Sequence, residues 1–514
     1  MSTPNLVSYR PYRLEISGLL KPCAPFHIGT GERLSLLTDD PVLREGNDPE
    51  GLPYIPGTSL RGVLRSHLER EAPLLGCSQA AVERLFGPKV SSGVSAAQIA
   101  RGRLFIADAL PVSGVTSCEF RDHVRIRPEW NAADYGAKFD NEVVLAEDAA
   151  YEFFAVYEGD GRDDEELLLL RELVRYLCEG ELRVGAKAGW GYGRMELTQV
   201  SYREFDRRQP KALADFLRYR AGDKLPALSQ FDWPNWKPLR PDGVLEPFSE
   251  LQLTVLLQFE GPVLVKAAFP PEPPGKAETG QAHQPERYGE IGWRQADQVF
   301  VTTAGGRHYL PGSSLRGVLR RRAERICRTL FNSVGIAEVL FGAVRASGGQ
   351  GHKGLIEVFD GLLCGSREWV YLDHVAIDRI TNAAVDAKKF ANCALASPLF
   401  RTEIRVRFTS QSVPALALFA FLLRDLMEGW CWAGSGTSRG YGHIEKATCE
   451  NVRLNLLRSL GWSPGDCFTQ IEYGRPGRCL YHCDKVTEFS QLNGFWRILD
   501  EHWNCLLTEI KGEQ

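Results

Sequence analysis

Pro56-Gly-Thr-Ser-Leu-Arg-Gly-Val-Leu-Arg65 returns almost unchanged as Pro311-Gly-Ser-Ser-Leu-Arg-Gly-Val-Leu-Arg320, which marks the chain as a duplication. Each copy reads as a Pro-Gly turn feeding a helix. Ser59 and Ser314 suit the N-cap, and Leu60, Val63, Leu64 and Leu68 recur at helical spacing to give a core face. Arg61, Arg65, Arg316 and Arg320 lie off that face, and N-terminal amides beside a cation suit a phosphate. The plainer alternative is a capped helix with solvated arginines; recurrence of the whole motif argues for a shared role.

Around this anchor the rest of the repeat falls into line. Tyr12, Leu14 and Ile16 alternate with polar residues, as do Leu251, Leu253, Val255, Leu257 and Phe259, so each half opens on a half-buried strand. Leu85-Phe86-Gly87 matches Leu340-Phe341-Gly342, and the apolar runs ending in Asp108 and Asp360 match each other. Asp122 to Asn141 aligns without a gap with Asp373 to Asn392, carrying His123 and His374, and Asn131 and Asn382, in register. These stretches have strand-like ends and little apolar periodicity, which predicts a hairpin projecting from each domain. Further strands are expected at Tyr151 to Tyr157 and Glu403 to Phe408, and helices at Glu165 to Cys178 and Pro414 to Trp430. Each half closes on a glycine loop, 185–194 and 434–443. Glycines there let a ligand backbone approach the main chain, while Lys187 or Arg439 can neutralise phosphate. A purely structural turn is the alternative.

The order β, α, β, then β, α, β in each half predicts an α+β chain of two tandem ferredoxin-like domains with helices on one face of the sheet. The expected boundaries are 1–205 for the first domain, 206–246 for a linker, 247–450 for the second domain and 451–514 for an extension. That extension, with Trp462, Trp496 and Trp503, either packs on the second domain or docks a partner. From Ile28 to Pro56 is 28 positions and from Val265 to Pro311 is 46, so the second copy carries 18 extra residues, including Pro270-Pro-Glu-Pro-Pro-Gly275. That composition suits a loop.

A length of 514 residues calls for two domains, and 44% hydrophobic with 25% charged residues is the composition of a soluble globular protein. Every apolar run is shorter than a membrane span, and the N-terminus lacks the regions of a signal peptide, so a cytoplasmic protein without membrane partners is expected. Thirteen cysteines, odd in number and without a CxxC pair, fit reduced thiols. Cys479, His482 and Cys483 are the nearest thing to a zinc cluster, and no second ligand pair accompanies them. A net charge of −4 does not announce a nucleic-acid binder, but six arginines stand between Arg316 and Arg328, and Arg121, Arg125 and Arg127 cluster in the first half.

The order of His27-Ile-Gly-Thr-Gly31, Asp39-Asp40-Pro41-Val42, the Pro-Gly-Thr-Ser-Leu-Arg-Gly motif and a terminal Gly-Tyr-Gly loop resembles the RAMP superfamily. Each half is similar to the group-seven RAMP backbone subunit of type III CRISPR effectors, and two fused copies look like the tandem backbone protein of a type III-D-like effector. The resemblance implies a modified RNA-recognition fold whose thumb hairpins displace a nucleotide at intervals along a guide (CRISPR) RNA. It implies neighbouring RAMP subunits and a large subunit as partners, and a single-stranded target RNA cut beside the displaced nucleotide. It also implies a loop aspartate working with a divalent metal, Mg2+ or Mn2+. Carried over, Asp39 is the catalytic and metal-binding position, with Asp40 its neighbour. Asp297 is the nearest match in the second copy, where the proline is missing and Ala296 competes for the place; Leu264 stands where the first copy has His27. The implied RNA contacts are His27, Ser59, Arg61, Arg65, His123, Arg125, Asn131, Lys187, Gly189, Gly191 and Tyr192 in the first half. Their counterparts in the second half are Ser314, Arg316, Arg320, His374, Asn382, Arg439, Gly440 and Tyr441.

RNA brings its own nucleophile, the 2′-hydroxyl, so an enzyme need only splay the backbone in line and place a metal or base near it. Without the resemblance, Asp39-Asp40 before Pro41 reads as an Asx-type turn. Two other roles stay open at this point: a backbone subunit that binds without cutting, and a metal-independent guide-processing nuclease using His27, His123 or His374.

Overall fold

In the computed structural model of the chain, the described residues are 10–31, 38–48, 51–89, 101–112, 117–127, 132–147, 149–161, 164–222, 249–266, 296–303, 306–343, 351–365, 367–457, 460, 462, 468–471 and 478–512. The proline-rich stretch at 270–275 and Asn131 fall outside them.

The first half runs β1 (Tyr12–Pro22), α1 (Gly57–Glu71), α2 (Gln79–Phe86), β2 (Leu104–Ile106), the hairpin β3 (Cys118–Arg127) and β4 (Ala132–Val144), β5 (Tyr151–Gly159), α3 (Asp164–Cys178), β6 (Leu182–Arg183), β7 (Arg194–Asp206) and α4 (Pro210–Arg220). Its sheet has the order β2-β5-β1-β7-β6, and its pairings are antiparallel. With α1 and α3 as the crossovers, this is the ferredoxin-like arrangement. Leu60, Leu64 and Leu68 of α1 and Leu169, Leu170, Leu173 and Leu177 of α3 are buried in one core with Ile16, Leu104 and Phe153 of the sheet.

The second half repeats the plan: β8 (Ser249–Glu260), β9 (Gln298–Val299), α5 (Gly312–Phe331), α6 (Gly335–Phe341), β10 (Ile356–Val358), the hairpin β11 (Trp369–Ile377) and β12 (Ala384–Ala396), β13 (Leu399–Phe408), α7 (Val413–Met427), β14 (Cys431–Trp432) and β15 (His443–Leu457). The extension then adds β16 (Thr469–Ile471), β17 (Arg478–Val486) and α8 (Asn493–Gly512). Strand β17 pairs with β15, while Trp503 packs on Phe331 of α5 and Phe421 of α7, so the extension completes the second core. The expected linker begins with structure: Phe205 of β7 packs on Phe216 and Tyr219, holding α4 against the first sheet. Pro210 opens that helix, a position where its missing N–H costs nothing.

Both predicted projections are antiparallel hairpins, and both carry a register shift at the same place, between Val124 and Ile126 and between Val375 and Ile377. Gly136 and its counterpart Ala387 take positive φ there. Apolar side chains stand out into solvent along them, among them Val124, Ile126, Tyr135, Val375, Ile377 and Ile380. An exposed apolar hairpin is built for contact.

The two halves are joined head to tail by ion pairs, two largely buried and two half-buried. The glycine-loop side of the first half sits on the α5 and β10 side of the second. Arg121 Nη1 meets Asp360 Oδ2 at 2.6 Å and its guanidinium lies 4.6 Å from the Tyr309 ring centroid. Arg183 pairs with Glu357 at 3.1 Å, Arg194 with Glu403 at 3.0 Å and Arg405 with Glu181 at 3.3 Å. Gly191 fits against Phe359 so closely that an added Cβ would come within 2.5 Å of its Cα.

Candidate nucleic-acid site

The start of α1 differs from the sequence expectation. Its N-cap is Pro56 and no side chain of the helix caps it. Asp108, the acid ending the β2 run, accepts from the Gly57 N–H at 2.7 Å, and Asp360 accepts from the Gly312 N–H at 2.8 Å. Ser59 and Ser314 are therefore not the caps; a carboxylate from the neighbouring strand holds each helix N-terminus, where negative charge is favourable. The motif arginines are turned inward. Arg61 donates to the carbonyls of Leu104, at 2.9 Å, and Phe86, and Arg316 donates to that of Phe341. Arg65 pairs with Glu69 and Arg320 with Glu324, both at 2.9 Å. In the second half the helix start is also covered by the first: an added Cβ on Gly312 would lie 2.9 Å from the Trp190 carbonyl oxygen, and Gly189 lies against the Arg316 guanidinium. The expected phosphate cradle at 311–320 is thus part of the joint.

Asp39 and Asp40 stand where the loop before α1 crosses the base of the first hairpin. The loop and strand clasp each other. Asp39 N–H donates to Asp140 Oδ1 at 2.8 Å, Asp140 N–H donates to Asp39 Oδ2 at 3.2 Å, and the Thr38 hydroxyl donates to Asp140 Oδ1 at 3.2 Å. The Asp39 side chain is left on the surface. Asp40 turns the other way, to Lys187 Nζ at 2.5 Å and to His27 Nε2 at 3.0 Å. Burial alone would raise the Asp40 carboxyl, but Lys187 and His27 outweigh it and hold it below the usual carboxylate range. His27 is fully buried, its Nδ1 donating to the Glu142 carbonyl at 2.7 Å. Lys187 adopts φ 61°, a left-handed conformation that a non-glycine residue takes at a cost of about 1–2 kcal/mol. Its reach to Asp40 compensates for that strain.

The second copy settles its own register. Ala391 N–H donates to Asp297 Oδ2 at 2.7 Å and Asp297 N–H to the Ala391 carbonyl at 2.9 Å. Ala391 and Asp140 each precede the matched asparagines Asn392 and Asn141, so Asp297, not Ala296, occupies the place of Asp39. Around it the ionic support is gone. Gln298 replaces Asp40, Leu264 replaces His27, and Gly436 replaces Lys187, since Gly185 and Gly434 pack on the carbonyls of His27 and Leu264 respectively. The same register sets Arg439 opposite Trp190, so Lys187 and Arg439 are not equivalent cations.

Aromatic side chains line the hairpin bases. His123 stacks on Phe139 at 5.2 Å and lies tilted against Trp190 at 4.6 Å, with Phe139 and Trp190 6.4 Å apart, so the three rings form one cluster. In the second copy His374 stacks on Phe390 at 5.0 Å, and Arg439 takes the outer place, 5.2 Å from that ring. Tyr192 and Tyr441 are buried behind these stacks, with Tyr441 hydroxyl and His374 Nε2 2.7 Å apart. Asn382 sits in the exposed second hairpin tip at φ 55°, and Arg125 is exposed on β3, 3.2 Å from Asp134. Gly440 is an open left-handed turn. Sequence reasoning passed over Asp140, Glu142 and the Trp190 stack; the reciprocal clasp depends on a contact between residues about a hundred positions apart, which no local pattern announces.

Burial pushes the His123 imidazole down to about 4, so the ring stays neutral in the fold while its unfolded counterpart titrates near 6.5. The unfolded chain then binds more protons between those values, and the contribution of this site to stability falls as pH drops from about 6.5 toward 4. The protection factors of the 185–194 loop, referred to intrinsic exchange at each pH, should fall over that range, and His123→Phe should flatten the response. An unchanged profile in the variant would assign it to other groups.

Among the described residues, no three His, Cys, Asp or Glu side chains come together as a metal cage. Cys479, His482 and Cys483 do not converge: they lie along β17, where Cys483 is buried and His482 turns to Asp484 at 3.4 Å. A magnesium ion held by one or two carboxylates and completed by substrate phosphates needs no such cage. Exposed Asp39, beside Asp140, and Asp297 fit that limited demand.

The chain is two ferredoxin-like domains in tandem, each with a projecting hairpin and a loop aspartate at its base, and the RAMP superfamily model matches residues 19–196 and 257–445. The chain belongs to the RAMP superfamily. It is similar to the CRISPR system Cms endoribonuclease Csm3 of Methanothermobacter thermautotrophicus, with 26% identity over 201 residues, covering 32% of this chain and 75% of that protein. Among the described residues no helix is long and apolar enough to cross a membrane.

Proposed function

We propose that this chain is a guide-RNA-binding backbone subunit of a type III CRISPR effector and an endoribonuclease that cuts target RNA at two places. The observation that carries this is the recurrence of a surface aspartate clasped to the base of a projecting hairpin, Asp39 on Asp140 and Asp297 on Ala391. The hairpins, with their exposed apolar side chains, part the strands and turn a nucleotide out, which splays the target backbone beside each aspartate. The 2′-hydroxyl gives its proton to solvent as its oxygen bonds to the adjacent phosphorus, and the 5′-oxygen takes one up from solvent as the P–O5′ bond breaks, leaving a cyclic phosphate on one product and a 5′-hydroxyl on the other.

Asp39 and Asp297 would hold a divalent ion, Mg2+ or Mn2+, which when bound supplies positive charge at the phosphate. The protein's own contribution is position. Asp40, locked to Lys187 and His27, fixes the loop so that Asp39 faces outward, while the stacks at Trp190 and Arg439 offer flat faces to bases. The three repeat-motif histidines are engaged elsewhere: His27 between Glu142 and Asp40, His123 in its stack, His374 on Tyr441. That disfavours histidine-driven guide processing. Guide RNA, single-stranded target RNA, further RAMP subunits and a large subunit are the partners of this reading, and the cytoplasm its place.

The test is cleavage of a labelled target by the assembled guide-loaded complex over a titration of Mg2+ and Mn2+. Two cuts that vanish with chelator and return with metal support the reading; target binding without cleavage at any metal concentration would leave a structural subunit.

A further inference from the structure

The matched asparagines Asn141 and Asn392 stand at the same place in the two hairpins and differ in what holds them. In the first copy Asn141 Oδ1 lies 2.5 Å from His123 Nε2, and its Nδ2 donates to the Glu142 carbonyl at 3.4 Å. The Tyr192 hydroxyl there accepts from Arg121 Nη1 at 3.3 Å. Leu372 occupies the place of Arg121 in the second copy, so Tyr441 takes His374 instead, at 2.7 Å, and Asn392 loses its histidine. Among the described residues neither Asn392 Oδ1 nor Nδ2 meets a hydrogen-bond partner, although the side chain is fully buried. Gln298, its neighbour across the parallel pairing of β9 with β12, carries a buried Oε1 that meets none either.

Buried polar groups are normally paired, and one donor with two acceptors left open at a single point matches the hydrogen-bonding edge of a ligand. The strand shows the approach. Phe390 and Asn392 are two residues apart on β12 and share a face. The Arg439 guanidinium, on an exposed side chain, lies 5.2 Å from the Phe390 ring centroid. It enters the room left where Gly436 replaces Lys187, since an added Cβ on Gly436 would lie 3.2 Å from its Nη2. A base that slips between this guanidinium and the Phe390 ring stacks on both and brings its edge to Asn392. In the first copy Trp190 fills the same place and His123 already takes the amide.

On the reading that this chain handles single-stranded RNA, we propose that Asn392 and Gln298 form a base-reading subsite of the second copy, closed in the first, for a nucleobase with an exocyclic amine beside a ring nitrogen. Asn392 Oδ1 and Gln298 Oε1 accept from the amine while Asn392 Nδ2 donates to the ring nitrogen, the pairing by which an amide recognises adenine. Cytosine offers the same donor and acceptor. Guanine and uracil set a carbonyl oxygen against Gln298 Oε1, acceptor against acceptor, and turning the Asn392 amide around does not relieve that.

Fluorescence anisotropy of the purified full chain with short oligouridylates, each carrying A, C, G or U at its centre, tests this. The oligomers with adenine or cytosine should bind about tenfold more tightly than the other two. Asn392→Leu, which replaces two unpaired polar atoms by apolar ones of similar shape, should leave folding by circular dichroism intact and abolish the difference. Gln298→Leu, at a half-buried side chain, should narrow it as well. Equal affinity for all four oligomers, or none for any, overturns the proposal, and so does a preference that survives Asn392→Leu. A guide-loaded complex that fails to cut its target would leave this preference in place, so the cleavage reading and the subsite fail separately.

Discussion

Arg121→Ala should destabilise the chain by about 3–5 kcal/mol, the usual consequence of removing one partner from a buried ion pair. Arg121 is 5% exposed and stands at the centre of the joint. It meets Asp360 at 2.6 Å and Glu119 at 2.6 Å, and lies 5.4 Å from the Tyr192 ring centroid and 4.6 Å from that of Tyr309. Burial would disfavour its charge, yet Asp360 first, and Glu119 also, hold its proton on well above the ordinary guanidinium range. Without it, two carboxylates, Glu119 and the helix-capping Asp360, are left facing low-dielectric surroundings. Asp360 is doubly committed, since the same carboxylate takes the Gly312 N–H. Loss of Arg121 therefore reaches the start of α5. Thermal unfolding followed by calorimetry checks this, and the two halves should melt as separate transitions in the variant. A change under about 1 kcal/mol would mean that the joint rests on packing instead of charge.

The second large effect belongs to Asp39. Asp39→Ala should slow the first-copy cut by about 10²–10⁴-fold, the range expected when a group acting directly on a reacting centre is lost, while target affinity stays within about tenfold. Its carboxylate takes one N–H from the hairpin and no buried partner depends on it, so folding should be spared. Single-turnover cleavage and equilibrium binding on the same preparation separate the two quantities. Equal losses of binding and cleavage would make Asp39 a structural residue of the loop.

Much of this was legible in the chain itself. The duplication, the strand and helix order, the hairpins and the glycine loops all rest on local periodicity and on turn residues, which act over a few positions. Asp39 and Asp297 could be named because the motif around them resembles a family. What stayed hidden depends on partners far apart in sequence. Asp108 and Asp360 look like strand ends until the fold carries them to a helix start. Arg121 looks like a surface arginine until Asp360, 239 positions on, meets it. The choice between Asp297 and Ala296 needs the neighbouring strand, because one residue of register is invisible to a loop read alone. The arginines of the repeated motif misled in the opposite direction: their spacing off the core face is that of solvated residues, yet carbonyls at the end of α2 and α6 draw Arg61 and Arg316 inward.

The two sites also differ in a way that bears on chemistry. Asp39 has Asp140, Asp40, Lys187 and His27 around it; Asp297 has Ala391, Gln298, Gly436 and Leu264. Both loops are clasped to their hairpin by hydrogen bonds, and only the first adds the charges of Asp40, Lys187 and His27. The most direct measurement of the central claim is therefore a map of product ends from one end-labelled target, cut by complexes carrying the wild-type chain, Asp39→Ala, Asp297→Ala or both. The account predicts that each single change removes one product, a different one in each case, and that the double variant leaves the target bound and intact; two products persisting in the double variant would contradict it.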